Sequence, residues 1–315
     1  MRKTDFIIVG QGIAGSTLAL ELISEGKSVV VIDNPGLSNC SKVAAGIYNP
    51  VVFKRLTQSW MADMVLPVML DFFSELETKF QTQLVHRVKI ARVFSGKEEE
   101  VLWQKKSANE LSDFIDGTIN VSSSVVENRE NAYSFLKNPH AFVKQGGYVN
   151  VPAYLEHTRN FLEQRNAFVN ERFDYKLLQF EGENSIYNNI SCTKIIFCEG
   201  HLIGKNPWFA DLKFKPAKGE VLTIYCEEME FNTVLNKEIF ILPLPAAHHF
   251  KVGATYNWED LTDEVTDQGK SILEEKLKKL IPFKYKILKH EAGVRPSTSD
   301  RRPVMGFHSE NFHYA

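Results

Sequence analysis

The 315 residues are 43% hydrophobic, which supports a large core and about two domains. Thirty-seven Lys and Arg against 39 Asp and Glu leave a net charge of −2, so the composition carries no basic footprint for nucleic acid or an anionic membrane surface. No apolar run approaches a membrane span, and Asp5 and three glycines interrupt the N-terminal apolar stretch before it could serve as a secretory leader. Cys40, Cys192, Cys198 and Cys226 form no C-x-x-C pair, the pattern of a reduced, cytoplasmic protein.

The first predicted element is the stretch FIIVGQGIAGSTLALELISEGKSVVVIDN, residues 6–34. Ile7 to Val9 read as a buried parallel strand. Gly10 permits the tight turn out of it, Gly12 lets a pyrophosphate approach the backbone, and Gly15 lets the next helix pack closely on the strand. The helix N-terminus offers free N–H groups and a positive dipole end to phosphates. Val29 to Ile32 form the second strand, with Asp33 at its tip to accept hydrogen bonds from a ribose diol and Asn34 beside it. Strand, glycines, helix, strand and acid occur in the order of a dinucleotide site, and this motif fits FAD and NAD equally.

The next stretch, NCSKVAAGIYNPVVFKRLTQSW (39–60), centres on Ala44-Ala45-Gly46. Small residues in a loop after the dinucleotide acid let backbone lie flat against a planar ring. An NAD domain would pass directly into its next helix, so the loop favours FAD. Residues 57–80 read as a helix with Pro67 as a kink or break. A strand is expected over 85–94, a solvated turn at Glu98-Glu99-Glu100, an amphipathic helix over 103–115, and short strands over 121–126 and 141–143. Two glycines, a strand and a helix beginning near Pro152 follow. Residues 168–180 and 186–192 suggest a small antiparallel piece, and KIIFCEG ends a buried strand at Gly200. From Glu220 the pattern is antiparallel through EVLTIYC, EIFILPLP and FKVGATYN. The adjacent His248 and His249 suit a hairpin turn and lack metal-pair geometry. Residues 267–280 carry an apolar helical face.

The stretch HEAGVRPSTSDRRPVMG (290–306) decides the class. Pro296 restricts Arg295 to extended geometry, which aims its side chain one way. A guanidinium held so either grips a carboxylate bidentately or pairs with an acid at a domain junction.

Together, VGQGIAG, VVVID, CSKVAAGIYNP, GGYVNVP, IIFCEG, PAKGEVL, FKVGATY and GVRPSTSDRRPVMG resemble the D-amino-acid oxidase superfamily of FAD-dependent amine oxidoreductases, of the glycine oxidase and sarcosine oxidase type. The resemblance runs in family order across nearly the whole chain. It implies an α/β fold: a discontinuous Rossmann-like FAD-binding domain with a central parallel sheet (1–80, 147–212 and 291–315), interleaved with an α+β substrate domain on an antiparallel sheet (81–146 and 213–290).

It implies that Gly10, Gly12, Ile13, Ala14 and Gly15 hold the FAD pyrophosphate, with Asp33 and Asn34 at the adenosine ribose. Ser41, Lys42, Ala45, Gly46, Ile47 and Tyr48 would line the stretch from pyrophosphate to flavin. Phe173 or Asp174 would contact adenine through the backbone, and Gly200 would pass close to the cofactor. Arg295 would grip the substrate carboxylate, with Tyr256 on a cavity-lining strand.

The implied reaction is oxidation of a C–N bond in an amino acid or related amine by hydride transfer to non-covalent FAD, with O₂ or another acceptor reoxidising the flavin. The chemistry is compatible with an oligomer. The flavin domain of a tRNA-modifying oxidase and a flavin-fold metabolite binder without turnover are the alternative readings. Phe240 stands where glycine oxidases carry a tyrosine phenol, which argues against glycine as substrate. The family continues past NFHYA into a glycine-rich loop and helix over the flavin, so the segment ending at Ala315 is expected to hold FAD more weakly.

Overall fold

The computed structural model describes residues 1–34, 36, 39–121, 135–136, 138–308 and 315. β1 (Arg2–Val9) leads through the glycine turn into α1 (Ile13–Ser24), and Gly26, with φ +73°, returns the chain to β2 (Val29–Asp33). The one-turn α2 (Cys40–Val43), β3 (Ile47–Tyr48), β4 (Val51–Val52) and β5 (Thr57–Gln58) precede the long α3 (Ala62–Phe80). Then come β6 (Val85–Arg87), β7 (Ile90–Val93), α4 (Lys97–Ser107), β8 (His140–Val143), β9 (Gly147–Val149) and α5 (Val151–Gln164). The strands β10 (Phe168–Asn170), β11 (Leu178–Glu181), β12 (Asn184–Tyr187) and β13 (Ile190–Phe197) follow. The remainder is β14 (Ala217–Tyr225), β15 (Val234–Asn236), β16 (Phe240–Pro243), β17 (His249–Gly253), α6 (Asp267–Leu280) and β18 (Lys286–Arg295).

Two sheets carry the architecture. The first has the order β10-β2-β1-β13-β12-β11. Its β10, β2, β1 and β13 run parallel, and β12 and β11 close it as an antiparallel meander. The centres of β1 and β2 are apolar because both faces are covered: Ile7, Ile8, Val30 and Val31 are fully buried. α1 and α5 cover one face, where Leu20, Val31, Tyr154 and Leu162 share a cluster. The second sheet, β18-β14-β17-β16-β15-β7-β8, is antiparallel except at β15–β7. α6 packs its Leu273, Leu277 and Leu280 on one face. The other face looks toward α2 and α3. This is the expected α/β plan of a parallel sheet joined to an antiparallel one.

Several local expectations change. Residues 57–58 pair with 51–52 as a hairpin, so α3 starts at Ala62. Pro67 stays inside the helix, in its second turn, without ending it. The expected 85–94 strand divides between two sheets as β6 and β7. The acidic run is no solvated turn: it forms the first turn of α4, where carboxylates complement free N–H groups. Glu99 accepts from Arg92 Nε at 2.7 Å and Ser95 N at 2.9 Å, and Glu100 is buried. α4 therefore begins at Lys97, six residues before the apolar periodicity indicated. β10 pairs parallel with β2, so only β11–β13 are antiparallel. The expected strand over 121–126 lies, but for Val121, outside the described residues.

α6 is tied to the second sheet by buried Glu220 on β14. Its carboxylate accepts from Thr266 N at 3.0 Å and Thr266 Oγ1 at 2.7 Å and stands 2.8 Å from His290 Nε2, while Thr266 Oγ1 caps Gly269 N at 2.9 Å. A Cβ on Gly269 would meet that carboxylate. Overpacking costs about 1–3 kcal/mol, more than the roughly 0.5–1 kcal/mol that alanine gains in a helix. Gly269→Ala should therefore destabilise the protein by about 1–2 kcal/mol, seen in urea unfolding as a lower midpoint at unchanged slope.

Candidate active site

The glycines of the first turn are fixed by backbone contact. A Cβ on Gly10, whose φ is +101°, would press on the Cys198 carbonyl oxygen at 2.5 Å. One on Gly15 would collide with the Gly10 carbonyl. α1 thus starts close to the ends of β1 and β13. Gly12 at its N-cap brings no side-chain hydrogen bond, and its first turn holds no acid, so the dipole end faces outward unneutralised. Ser41 Oγ, held by α2, accepts from Ile13 N at 3.2 Å. Ala14 lies within this first turn.

Asp33 ends β2 beside this turn. Burial raises its carboxyl pKa, against the opposing pull of the Gln11 N–H and the charges of Arg159 and Lys42. Its Oδ2 is buried with no hydrogen-bond partner among the described residues. Asn34 turns away, its Oδ1 accepting from Gly36 N at 2.9 Å. Lys42 N donates to Asn39 Oδ1 at 3.0 Å, and burial lowers the pKa of its ammonium group.

Gln11 and Arg159 were not among the expected site residues. Gln11 is buried. It donates to Ser16 Oγ at 3.2 Å and Leu155 O at 2.9 Å, and its Oε1 accepts from Arg159 Nε at 3.0 Å and Nη2 at 2.7 Å. The nucleotide turn is thereby fastened to α5, 148 residues away. Gln11 could have been singled out as the polar residue between two motif glycines; Arg159 had no signal in the chain.

A cavity of about 1060 Å³ lies between the two sheets. Ile13, Ser41, Ala45, Gly46, Ile47 and Tyr48 border it on one side, Arg295 and Tyr256 on the other. Gly46, with φ +69°, lies so close to β9 that a Cβ would strike the Val149 carbonyl, and Val149 N donates back to Gly46 O at 3.0 Å. The Ala45–Gly46 segment is thereby held against β9. Burial raises the pKa of the half-buried Tyr48 hydroxyl. Gly10, Gly12, Ala14 and Gly15 lie outside the cavity wall, as do Asp33, Asn34 and Lys42. Phe173 and Gly200 are also outside it. Phe173 stacks on Tyr187 at 4.3 Å, whose hydroxyl takes the Asp174 N–H at 3.2 Å. Gly200, with φ +60°, opens the 3₁₀ turn Gly200–Lys205, where an added Cβ would meet open space.

Arg295 ends β18 opposite Ala217 on β14. Its guanidinium occupies the space that a Cβ on Gly219 would need. It sits 4.4 Å from the Tyr256 ring centroid and donates a long bond, 3.4 Å, to Thr255 O. Among the described residues no carboxylate lies within ion-pair distance of it. The domain-junction ion pair is therefore absent, and a half-buried planar cation faces a largely apolar cavity with its fork unspent.

A family model described as DAO, FAD dependent oxidoreductase, matches residues 5–315. The chain belongs to this family. The bifunctional tRNA 5-methylaminomethyl-2-thiouridine biosynthesis protein MnmC of Leptospira interrogans is 25% identical over 332 residues, which cover 95% of this chain and 47% of the relative. The chain thus spans about half the length of that curated relative. Glycine oxidase of Bacillus licheniformis is 24% identical over 99% of this chain and 86% of its own. Among solved structures, glycine oxidase from Bacillus cereus superposes with a TM-score of 0.80 at 20% identity, over 99% of this chain and 88% of that one. L-proline dehydrogenase from P. horikoshii gives 0.77 at 15%, over 99% and 87%. At these identities the superpositions establish the fold.

FAD is the cofactor of this DAO-family fold, and the residues present fit it. The buried Asp33 Oδ2, unpartnered among the described residues, could accept from hydroxyl donors, and the start of α1, with no acid in its first turn, suits an anion. Because burial raises the Asp33 pKa, its ionised form is disfavoured in the fold. That penalty is present above the folded pKa and absent below the ordinary aspartate range. Asp33→Asn should therefore raise the melting temperature of FAD-free protein at about pH 8, the gain vanishing toward pH ~4. The same substitution should weaken FAD binding about tenfold or more, since a bond to a charged acceptor contributes roughly 1.5–3 kcal/mol. Calorimetric titration with FAD and melting curves across pH check both signs.

Proposed function

We propose that the protein oxidises the C–N bond of an amino acid or related amine, with FAD as the two-electron acceptor. The observation that carries this reading is the Arg295 guanidinium, exposed to a largely apolar cavity and paired with no carboxylate among the described residues. A substrate carboxylate completes its fork, and the Tyr256 ring beneath keeps the guanidinium plane fixed. The bound amino acid would present its α C–H across the cavity toward the Ala45–Ile47 segment, which would help hold FAD. FAD would supply the two-electron acceptor for the α-hydride, and hydrolysis of the resulting imine would give a carbonyl compound and ammonia or an amine. The cavity walls place the reactants, and no side-chain acid–base pair is required.

In this reading Gly10, Gly12, Ile13, Ala14 and Gly15 hold the pyrophosphate and Asp33 the ribose. Ser41, Lys42 and 45–48 line the way to the ring. Segments 1–80, 147–212 and 291–315 form the FAD domain, and 81–146 and 213–290 the substrate domain. The substrate is small, O₂ or another acceptor reoxidises the flavin, and the protein works in the cytoplasm. Four free cysteines and the lack of any helix, among the described residues, long and apolar enough to cross a membrane are consistent with that placement.

FAD is held non-covalently: acid precipitation of the loaded protein should leave all yellow colour in the supernatant, and colour in the pellet would contradict it. Arg295→Ala should lower kcat/KM for amino acids at least about tenfold, as loss of charged hydrogen bonds of roughly 1.5–3 kcal/mol requires. Arg295→Lys, which keeps the charge without the fork, should fall between. The matching decarboxylated amines should be nearly unaffected. Anaerobic stopped-flow flavin reduction on variants of unchanged melting temperature checks this, and equal losses for acid and amine would make Arg295 architectural.

A further inference from the structure

We infer that the cavity is built for an amino acid with a large, uncharged apolar side chain, and that glycine and dicarboxylic amino acids are poor substrates. This rests on the C–N oxidation reading and adds the substrate class to it.

The argument begins with the sheet floor. From Arg295 the pairing runs sideways through Gly293 opposite Gly219, Val221 opposite Gly253, and Gly253 opposite Phe240. From β18 to β16 is three strand spacings, about 14 Å between backbones at ~4.8 Å each. Glycine at 219, 253 and 293 leaves its side-chain space to neighbours: the Arg295 guanidinium fills it at Gly219, Val221 and Phe240 border it at Gly253, and Cys40 and Val43 border it at Gly293. At Gly253 this is enforced: a Cβ would lie 2.7 Å from Val221 Cγ1 and 2.8 Å from Phe240 Cζ. The Phe240 ring therefore lies down over Gly253 as the next part of the wall.

Beyond Phe240 the cavity is closed by Ile90, Val234 and Ile239. None of these four side chains carries a polar atom. A side chain that leaves the Cα of a carboxylate-anchored substrate on this side meets these four apolar groups, with Asn236 and Glu238 also on the wall, and burying its methylenes against them is favourable.

Charge completes the selection. Among the described residues that border the cavity Arg295 is the one cation, whereas Glu21 and Glu238 are the acids. Asn236, at the far end, already accepts from Arg92 Nη1 at 2.7 Å. A second carboxylate would find no cation to replace its water and would approach Glu238, so its desolvation is uncompensated. Glycine fits sterically but leaves the apolar wall uncovered.

The test uses FAD-loaded protein and unreactive straight-chain carboxylates. Calorimetry with acetate, propionate, butyrate and hexanoate should show about fourfold tighter binding per added methylene, the equivalent of ~0.8 kcal/mol per buried CH₂. Adipate should bind at least tenfold more weakly than hexanoate. Arg295→Ala should weaken the whole series. Phe240→Tyr, which puts a hydroxyl in the same ring position, should flatten its slope without disturbing acetate. Flavin reduction should then favour leucine-sized or phenylalanine-sized amino acids over glycine by at least tenfold. A flat or inverted series, or glycine or aspartate as the best reductant, overturns this inference and leaves C–N oxidation standing. A rising series with no amino acid reducing the flavin overturns the activity reading alone.

Discussion

The long ladder between β14 and β18 is the constraint on which the rest of the molecule depends. Nine residue pairs, from Ala217↔Arg295 to Tyr225↔Lys286, hold the two strands together, with a register shift between Thr223 and Ile224. Alternation along the ladder gives its two faces different duties. Glu220, Leu222 and Ile224 turn toward α6, with His290 beside Glu220; Gly219, Gly293 and Arg295 turn toward the cavity. A slip of β18 by one residue would turn Arg295 away from the cavity. The register that buries the core thus also aims the guanidinium.

The site is made largely where side chains are missing. Gly10, Gly15, Gly46 and Gly219 are each in contact with a backbone carbonyl or a guanidinium at the place a Cβ would stand. Around those gaps the protein holds polar groups with few partners: the Asp33 Oδ2, which has none among the described residues, and the Arg295 guanidinium, whose hydrogen bond is the long one to Thr255 O. Each of these raises the free energy of the empty protein, and each is relieved by a ligand group of complementary chemistry. Stability and binding are therefore opposed at the same atoms.

The two halves of the site are held by different means. The nucleotide turn is bolted by hydrogen bonds, from Gln11 to α5 and from Arg159 back to Gln11. The far wall is held by packing: Phe240 over Gly253, and Tyr256 under Arg295. Hydrogen bonds fix the direction of the turn's backbone, and packing fixes the shape of the far wall.

The sequence by itself determined the elements whose signals are local. The glycine turn, the acid at the end of β2, the apolar strands and the 267–280 helix are written in spacing and periodicity over a few residues, and the ordered motifs indicated the DAO-family fold. Tertiary structure decided what depends on distant partners. The first turn of α4 formed at 98–100 because Arg92 and Ser95 bind Glu99, β10 joined β2 in parallel, and 57–58 paired with 51–52. It also decided that Arg295 lies beside Gly219 with no carboxylate of the described residues in ion-pair reach, and that Arg159 reaches Gln11. The physical reason is separation along the chain: a turn or a periodic face is set by neighbours within a few residues, whereas an ion pair, a vacancy or a hydrogen bond across 148 residues exists only once packing has brought its members together.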